Sequence, residues 1–282
     1  MKDRVGLGWR PELAAGILAN LARIDIVEVI ADDYFEAPHR MRRSLKTLAA
    51  QVPVTLHGVA LGMASSVRVP GKLVDRMARL VGEVQPEFWS EHLAFVRGNG
   101  IEIGHLTAPP RTLRTIEGTL KNLDIARAAV GMAPHVENIA TLIDPPGSTL
   151  SEPEWLAETI RAAKCDLLLD LHNVHANAAN FGQSPAGFLE ALPLDRVSTI
   201  HLAGGKWIGP EGSRRLLDDH LHDVPDPVYT LLESVAARTM RPLTVILERD
   251  GEYPEIESLL SQLDRARAAL ARGRAQNAAL AA

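Results

Sequence analysis

One feature limits what this chain can fold into more than any other: a repeated alternation of two patterns. Eight short runs rich in Val, Ile and Leu (residues 5–9, 26–30, 52–59, 88–93, 135–139, 166–173, 197–203 and 243–249) are separated by longer stretches with helical spacing. Short apolar runs read as strands buried on both faces, and the periodic segments between them supply the helices that cover a parallel sheet. Those segments are 12–22, 40–50, 71–84, 112–130, 152–163, 185–191 and 227–238, with a last one from near 254 to about 273. Ser151-Glu152-Pro153-Glu154 opens one of them with an N-cap hydroxyl, a proline in the first turn and an acid at the third position. Eight strands alternating with helices over about 250 residues predict an α/β fold, a (β/α)8 TIM barrel in a single domain. The alternative is an open doubly wound sheet. It would usually carry a glycine-rich phosphate loop after its first strand, and GLGWRPE is a poor match to that. The barrel domain is read as residues 1–273. The Ala/Arg-rich remainder, 274–282, is read as a tail, a frayed helix or disordered.

Composition removes several function classes. The chain has 282 residues and 46% hydrophobic content, enough for a sizeable core, and its net charge of −5 gives no electrostatic case for nucleic acid or an anionic membrane. Aromatic content of 4% argues against a stacking surface for single strands. A single cysteine, Cys165, rules out an internal disulfide and leads us to expect a reducing, cytoplasmic setting. MKDRVGLGWRPEL lacks the apolar core of a signal peptide, and no apolar run approaches the roughly 20 residues of a membrane span.

Active sites of such barrels sit at the C-terminal ends of the strands. Here the ends of strands two to eight carry Glu28; His57; Glu91 and His92; Glu137 and Asn138; Asp170, His172, Asn173 and then His175; His201; and Glu248, Arg249 and Asp250. The loop after the seventh strand adds Asp218, Asp219, His220 and His222. An isolated histidine at a strand end is more often a hydrogen-bonded core residue than a ligand. Seven consecutive polar strand ends are different, because buried charges must be paired or bound to metal and Arg249 is the only cation in these motifs. A metal site is therefore the preferred reading over a structural polar cluster. Imidazole, carboxylate and amide without thiolate exclude the closed thiolate sites of structural zinc and suit Fe, Mn or catalytic Zn. Glu137, Asp170 and Glu248 with several imidazoles exceed the needs of one ion, so two or three are expected, with Glu137 able to bridge. Cys165, just before the sixth strand and at the far end from the site, reads as buried and inert.

The ordered motifs HGVALGMASS, SEHLAF, ENIAT, LLLDLHNVHANAANFG, IHLAGG, LDDHLHDVPDPVY and ERDGEYP resemble the DUF692 family, the multinuclear non-haem iron oxygenases, relatives of the methanobactin biosynthesis oxygenase iron subunit. The resemblance runs from about Gly6 to Leu270. It implies a barrel holding two or three iron ions in mixed Fe2+/Fe3+ states, with O2 as cosubstrate. The implied substrate is a Cys-containing, ribosomally synthesised precursor peptide, and a small partner protein recognises its leader. The ligand roles it implies fall on His57, His92, Glu137, Asp170, Asn173, His201, Asp218, His220 and Glu248, with Asp218 and His220 also assigned to catalysis. His172, His175, Glu91, Arg249 and Asp250 are possible ligands or supports of ligands.

This chain departs from the family pattern in places. The family often has Asn-Asn where His172-Asn173 stands, and members with HLAGH carry a histidine where this chain has Gly205. A common Glu-Asn pair is Asp32-Asp33 here, and IGHLTAPP, with His105, replaces the usual Leu-Pro segment. His39 is read as a surface residue and His135 as a structural one. Two rival readings stand beside the oxygenase: a divalent-metal isomerase or endonuclease IV-like hydrolase, and a non-catalytic metal- or peptide-binding barrel, which Gly205 favours.

Overall fold

The computed structural model describes residues 2–281 except Asn99. Eight parallel strands carry the fold: β1 (Arg4–Gly8), β2 (Val27–Ile30), β3 (Val54–Gly58), β4 (Trp89–His92), β5 (His135–Glu137), β6 (Leu167–Asp170), β7 (Val197–Leu202) and β8 (Thr244–Leu247). They close a barrel in which each strand neighbours the next in sequence and β1 meets β8. β3, β6 and β8 are buried at every residue, as expected of strands with helices outside and packed side chains within.

The chain forms two compact units. One holds residues up to Val27, 140–142 and Leu168 onward; the other holds 28–139 and 143–167. In the first, β1 pairs with β8 (Val5↔Val245) and β8 with β7 (Ile246↔His201). In the second, β3 pairs with β4 (His57↔Ser90) and β4 with β5 (His92↔Glu137).

Local chemistry sets the helix ends. Ser151 Oγ accepts from the Glu154 N–H, and the Glu154 carboxylate accepts from the Ser151 N–H, so both orphan donors at the start of Glu152–Ala163 are satisfied. Thr112 and Thr115 do the same for Leu113–Val130, which stops at Gly131 with φ 80°.

Several expectations need correction. The sixth strand does not extend to 173; it ends at Asp170, and a helix, Leu171–Phe181, begins at the next residue. Two β-hairpins were not foreseen: Phe95–Gly98 with Ile101–Thr107, directly after β4, and Lys206–Ile208 with Arg215–Leu217, directly after β7. The last helix runs without interruption from Ile256 to Ala281. Arg274 ties it to Asp3 at 2.8 Å, and Asn277 donates to the Ala237 carbonyl at 2.8 Å. Among the described residues no helix is long and apolar enough to cross a membrane.

Candidate metal centre

In the unit that holds β3 to β5, strand register assembles the first ligand set. His57 stands beside Ser90, and His92 beside Glu137. His57 Nδ1 lies 2.8 Å from Ser90 Oγ, and its Nε2 lies 3.5 Å from Glu137 Oε2. His92 turns its own Nε2 to the same oxygen, also at 3.5 Å. The His92 Nδ1 lies 3.3 Å from the Gly58 carbonyl, which can only accept, so in the neutral ring Nδ1 carries the hydrogen. Its Nε2 then presents a lone pair to a carboxylate oxygen. Acceptor faces acceptor, and a cation between them resolves the contact. His57, His92 and Glu137 each offer a donor atom within 4.8 Å of the others.

Glu91 sits behind this set, fully buried. Its carboxyl accepts from the N–H groups of Leu61 (3.3 Å) and His92 (3.0 Å). Burial pushes it well above the ordinary range, and the Asp32 charge adds to that. Asp32 accepts from the N–H groups of Val59 and Ala60 and is itself raised by burial. Glu91 and Asp32 therefore hold the chain after β3 in place. A cavity of about 20 Å³, room for about one water, adjoins Leu93 and Asn138, the residues that follow His92 and Glu137.

In the other unit, Asp170, His201 and Glu248 also bring donor atoms within 4.8 Å of one another. His201 Nδ1 lies 3.1 Å from Glu248 Oε2. Asp170 caps the helix Leu171–Phe181, accepting the Asn173 N–H on Oδ1 at 2.6 Å. That bond fixes the carboxylate and starts the helix in one step.

Beside it, His220 is enclosed by acids. Its Nε2 lies 3.0 Å from Asp218 Oδ1, and its Nδ1 lies 3.1 Å from Asp250 Oδ2 and 3.6 Å from Glu248 Oε2. Burial opposes charge on this ring, but the Asp218 and Glu248 carboxylates outweigh it and raise His220 well above the usual histidine range. Burial alone would raise Asp218; the charge of His220 and the hydrogen bond from His172 instead hold it far below the usual carboxylate range. Neither nitrogen of His220 makes an aligned hydrogen bond, despite these distances. Two ligands about 2.1 Å from one ion and at right angles stand roughly 3 Å apart, which is the Asp218–His220 spacing. His220 also holds φ at 55°, a left-handed conformation uncommon for a non-glycine residue. Imidazole–carboxylate sets at the ends of parallel strands, with acceptors facing acceptors, fit divalent iron or a similar metal.

The other candidates fall into place around these sets. His172 and Asn173 are buried on the first turn of the new helix, so strand alternation does not govern them. His175 lies one turn on, its ring centre 6.3 Å from that of His172, and burial followed by the His172 charge lowers its pKa. Arg249 braces its own loop, donating to the carbonyls of Gly251 (2.8 Å) and Glu252 (2.6 Å). Asp250 is tied to Arg10 as well as to His220. Asp219 lies 3.0 Å from His222 Nδ1 and 3.4 Å from Lys206. Glu28 is buried on β2, His39 is exposed, and His105 lies in an exposed hairpin strand. His135 stacks on Phe88 with ring centres 4.4 Å apart, and Cys165 is buried. Ser90, which holds His57, was missed. Its signal was present in FWSEHL, where Ser90 and His92 share one strand face.

The family model described as RiPP precursor modification enzyme MbnB/TglH/ChrH matches residues 4–271. A UPF0276 protein of Streptomyces avermitilis is 36% identical over 273 residues, covering 94% of this chain but 54% of its own length, so this chain spans about half of that relative. A UPF0276 protein of Caulobacter vibrioides is 32% identical and covers 96% of both chains. Among solved structures, D-psicose 3-epimerase from Clostridium cellulolyticum aligns over 97% of this chain and 99% of its own, with 12% identity and a TM-score of 0.58. Endonuclease IV from Thermus thermophilus aligns over 95% and 99%, with 20% identity and a TM-score of 0.57. At such identities these two structures speak for the barrel fold alone.

Proposed function

Because the chain belongs to the MbnB/TglH/ChrH family of RiPP precursor modification enzymes, we propose that it is a multinuclear non-haem iron enzyme that uses O2 to oxidise cysteine residues of a ribosomally made precursor peptide. The observation that carries this reading is the pair of imidazole–carboxylate sets at the strand ends. We assign one ion to His57, His92 and Glu137 and a second to Asp170, His201 and Glu248. Asp218, His220 and Asn173 would serve a third.

Iron bound there supplies one-electron chemistry and open positions for a thiolate and O2. The chain's own residues do the rest. Ser90 and the Gly58 carbonyl fix the rings of His57 and His92, so that each Nε2 points inward. Asp170 is held by the Asn173 N–H. Glu91 and Asp32 anchor the backbone after β3. Arg249 keeps the loop after Glu248 in shape. The substrate and a small leader-recognition protein belong to the same proposal, as does action inside the cytoplasm.

The test is metal analysis of anaerobically purified protein with an oxygen electrode. Two or more irons per chain, with O2 uptake on adding a cysteine-containing peptide, is the expected result. Zinc or manganese with no O2 uptake would instead support the isomerase or endonuclease IV-like reading, and no tight metal would support a binding barrel. A short Cys-containing open reading frame beside the gene would identify the substrate class.

A further inference from the structure

His172 is fully buried on the first turn of Leu171–Phe181 and has a hydrogen bond on only one side of its ring. Its Nδ1 lies 2.7 Å from Asp218 Oδ1. An ionised carboxylate only accepts, so Nδ1 carries the hydrogen and donates it. The same oxygen lies 3.0 Å from His220 Nε2 without an aligned hydrogen bond between them. His172 therefore grips the oxygen that Asp218 turns toward His220.

The other edge of the ring packs on Gly205. A Cβ at that position would lie 2.7 Å from His172 Cε1, 3.0 Å from His172 Nε2 and 2.1 Å from the Leu217 carbonyl oxygen. A side chain at 205 and the His172 ring exclude each other in this arrangement. Here the space at position 205 belongs to the His172 ring. Nε2 itself has no hydrogen-bond partner among the described residues, and Gly205, on which that edge of the ring packs, carries no side chain that could share an ion with it.

We propose that His172 is a positioning residue for the Asp218–His220 ion, orienting the Asp218 carboxylate through Nδ1–H and not ligating metal through Nε2, with Gly205 leaving the room its ring needs. The inference rests on the metal-centre reading above and says how this chain completes that centre. Partners of this kind fix ligand orientation, and losing one typically costs about 10- to 100-fold in metal affinity.

Three variants of the full chain separate the possibilities: His172→Asn, whose amide N–H falls near the Nδ1 position; His172→Gln, whose amide reaches the Nε2 position; and His172→Leu. Each is purified anaerobically and titrated with ferrous iron. Bound iron is counted after desalting, and the visible spectrum of the cobalt-substituted protein reports coordination. The expected result is that Leu and Gln weaken one ion by about 10- to 100-fold, leave the His57–His92–Glu137 ion in place, and are rescued by Asn with a wild-type cobalt spectrum. Iron binding by His172→Leu equal to wild type overturns the proposal alone. Rescue by Gln but not Asn also overturns it, because His172 would then act through Nε2. If His172→Leu does not fold, the Asn–Gln comparison still decides. Wild-type protein that binds neither iron nor cobalt overturns the metal centre and this inference with it.

Discussion

Replacing His220 with alanine in metal-free protein removes the one cation that Asp218, Asp250 and Glu248 share, at 3.0, 3.1 and 3.6 Å. Breaking a buried ion cluster by deleting one partner costs about 3–5 kcal/mol, because the charge left behind stays uncompensated. His220 and Asp218 side chains are each 16% exposed, so they fall in that class, whereas Asp250 at 43% is screened and adds little. The low end, about 3 kcal/mol, is therefore the expectation. At roughly 2–4 °C per kcal/mol for a chain of this size, the melting temperature falls by about 6–12 °C. The assay is thermal unfolding in excess chelator near pH 6. The pH dependence has a definite sign. His220 is raised, so its contribution is complete below the ordinary histidine value and fades as pH rises through the raised one. Asp218 is depressed, so its contribution is complete above the ordinary carboxylate value and fades as pH falls through the depressed one. The gap between wild type and variant should be widest from about pH 4 to 6.5 and narrow at alkaline pH. His220→Asn, which tolerates φ near 55°, should lose as much and so exclude a backbone cause. A gap under about 2 °C at pH 6, or one that widens with rising pH, refutes the reasoning.

Other consequences follow from the same geometry. Iron at the Asp218–His220 site must displace a proton from the raised imidazole, so its affinity should climb as pH rises above the ordinary histidine range; calorimetric titrations over a series of pH values read it directly. Ser90→Ala frees His57 Nδ1 and should weaken the ion held by His57, His92 and Glu137 by about 10-fold, leaving the second set unaffected in an iron count. Gly204→Ala places a Cβ 2.3 Å from the Asp223 carbonyl oxygen and 2.4 Å from that of His222, both backbone atoms. It should cost about 1–3 kcal/mol in chemical denaturation and weaken iron binding at Asp218 and His220, which lie in the adjoining loop. Asp170→Ala removes both a proposed ligand and a helix cap, so its metal-free form should still lose about 1 kcal/mol in the same denaturation assay.

The strands were legible because burial on both faces demands continuous apolar runs, and LLLD at 167–170 or TVIL at 244–247 can hardly be read otherwise. The capped helix at Glu152–Ala163 was legible because Ser151 and Glu154 announce it. The hairpins were not. Lys206–Ile208 and Arg215–Leu217 are three residues each, half of them exposed, and too short for a period to emerge. The hydrogen bonds of Asn180 to the Leu216 backbone, which brace that hairpin, join residues 36 apart in sequence. Ser90 shows a limit of another kind. Its role depends on cross-strand register with His57, which two separate motifs do not specify.

The run Asp170-Leu171-His172-Asn173 shows how one local choice decides the chemistry. As a strand it would send Asp170 and His172 to one face and Asn173 to the other. Asp170 instead accepts the Asn173 N–H, which costs nothing in ligand capacity, since a carboxylate has a second oxygen, and commits the chain to a helix. The helix then carries His172 to Asp218, 46 residues ahead in sequence. It also sets His175 one turn further along, near His172 but outside both groups that could hold an ion. An Asp that caps a helix and also faces a candidate ion is a single device for two tasks. Its substitution should therefore lower stability and metal affinity together.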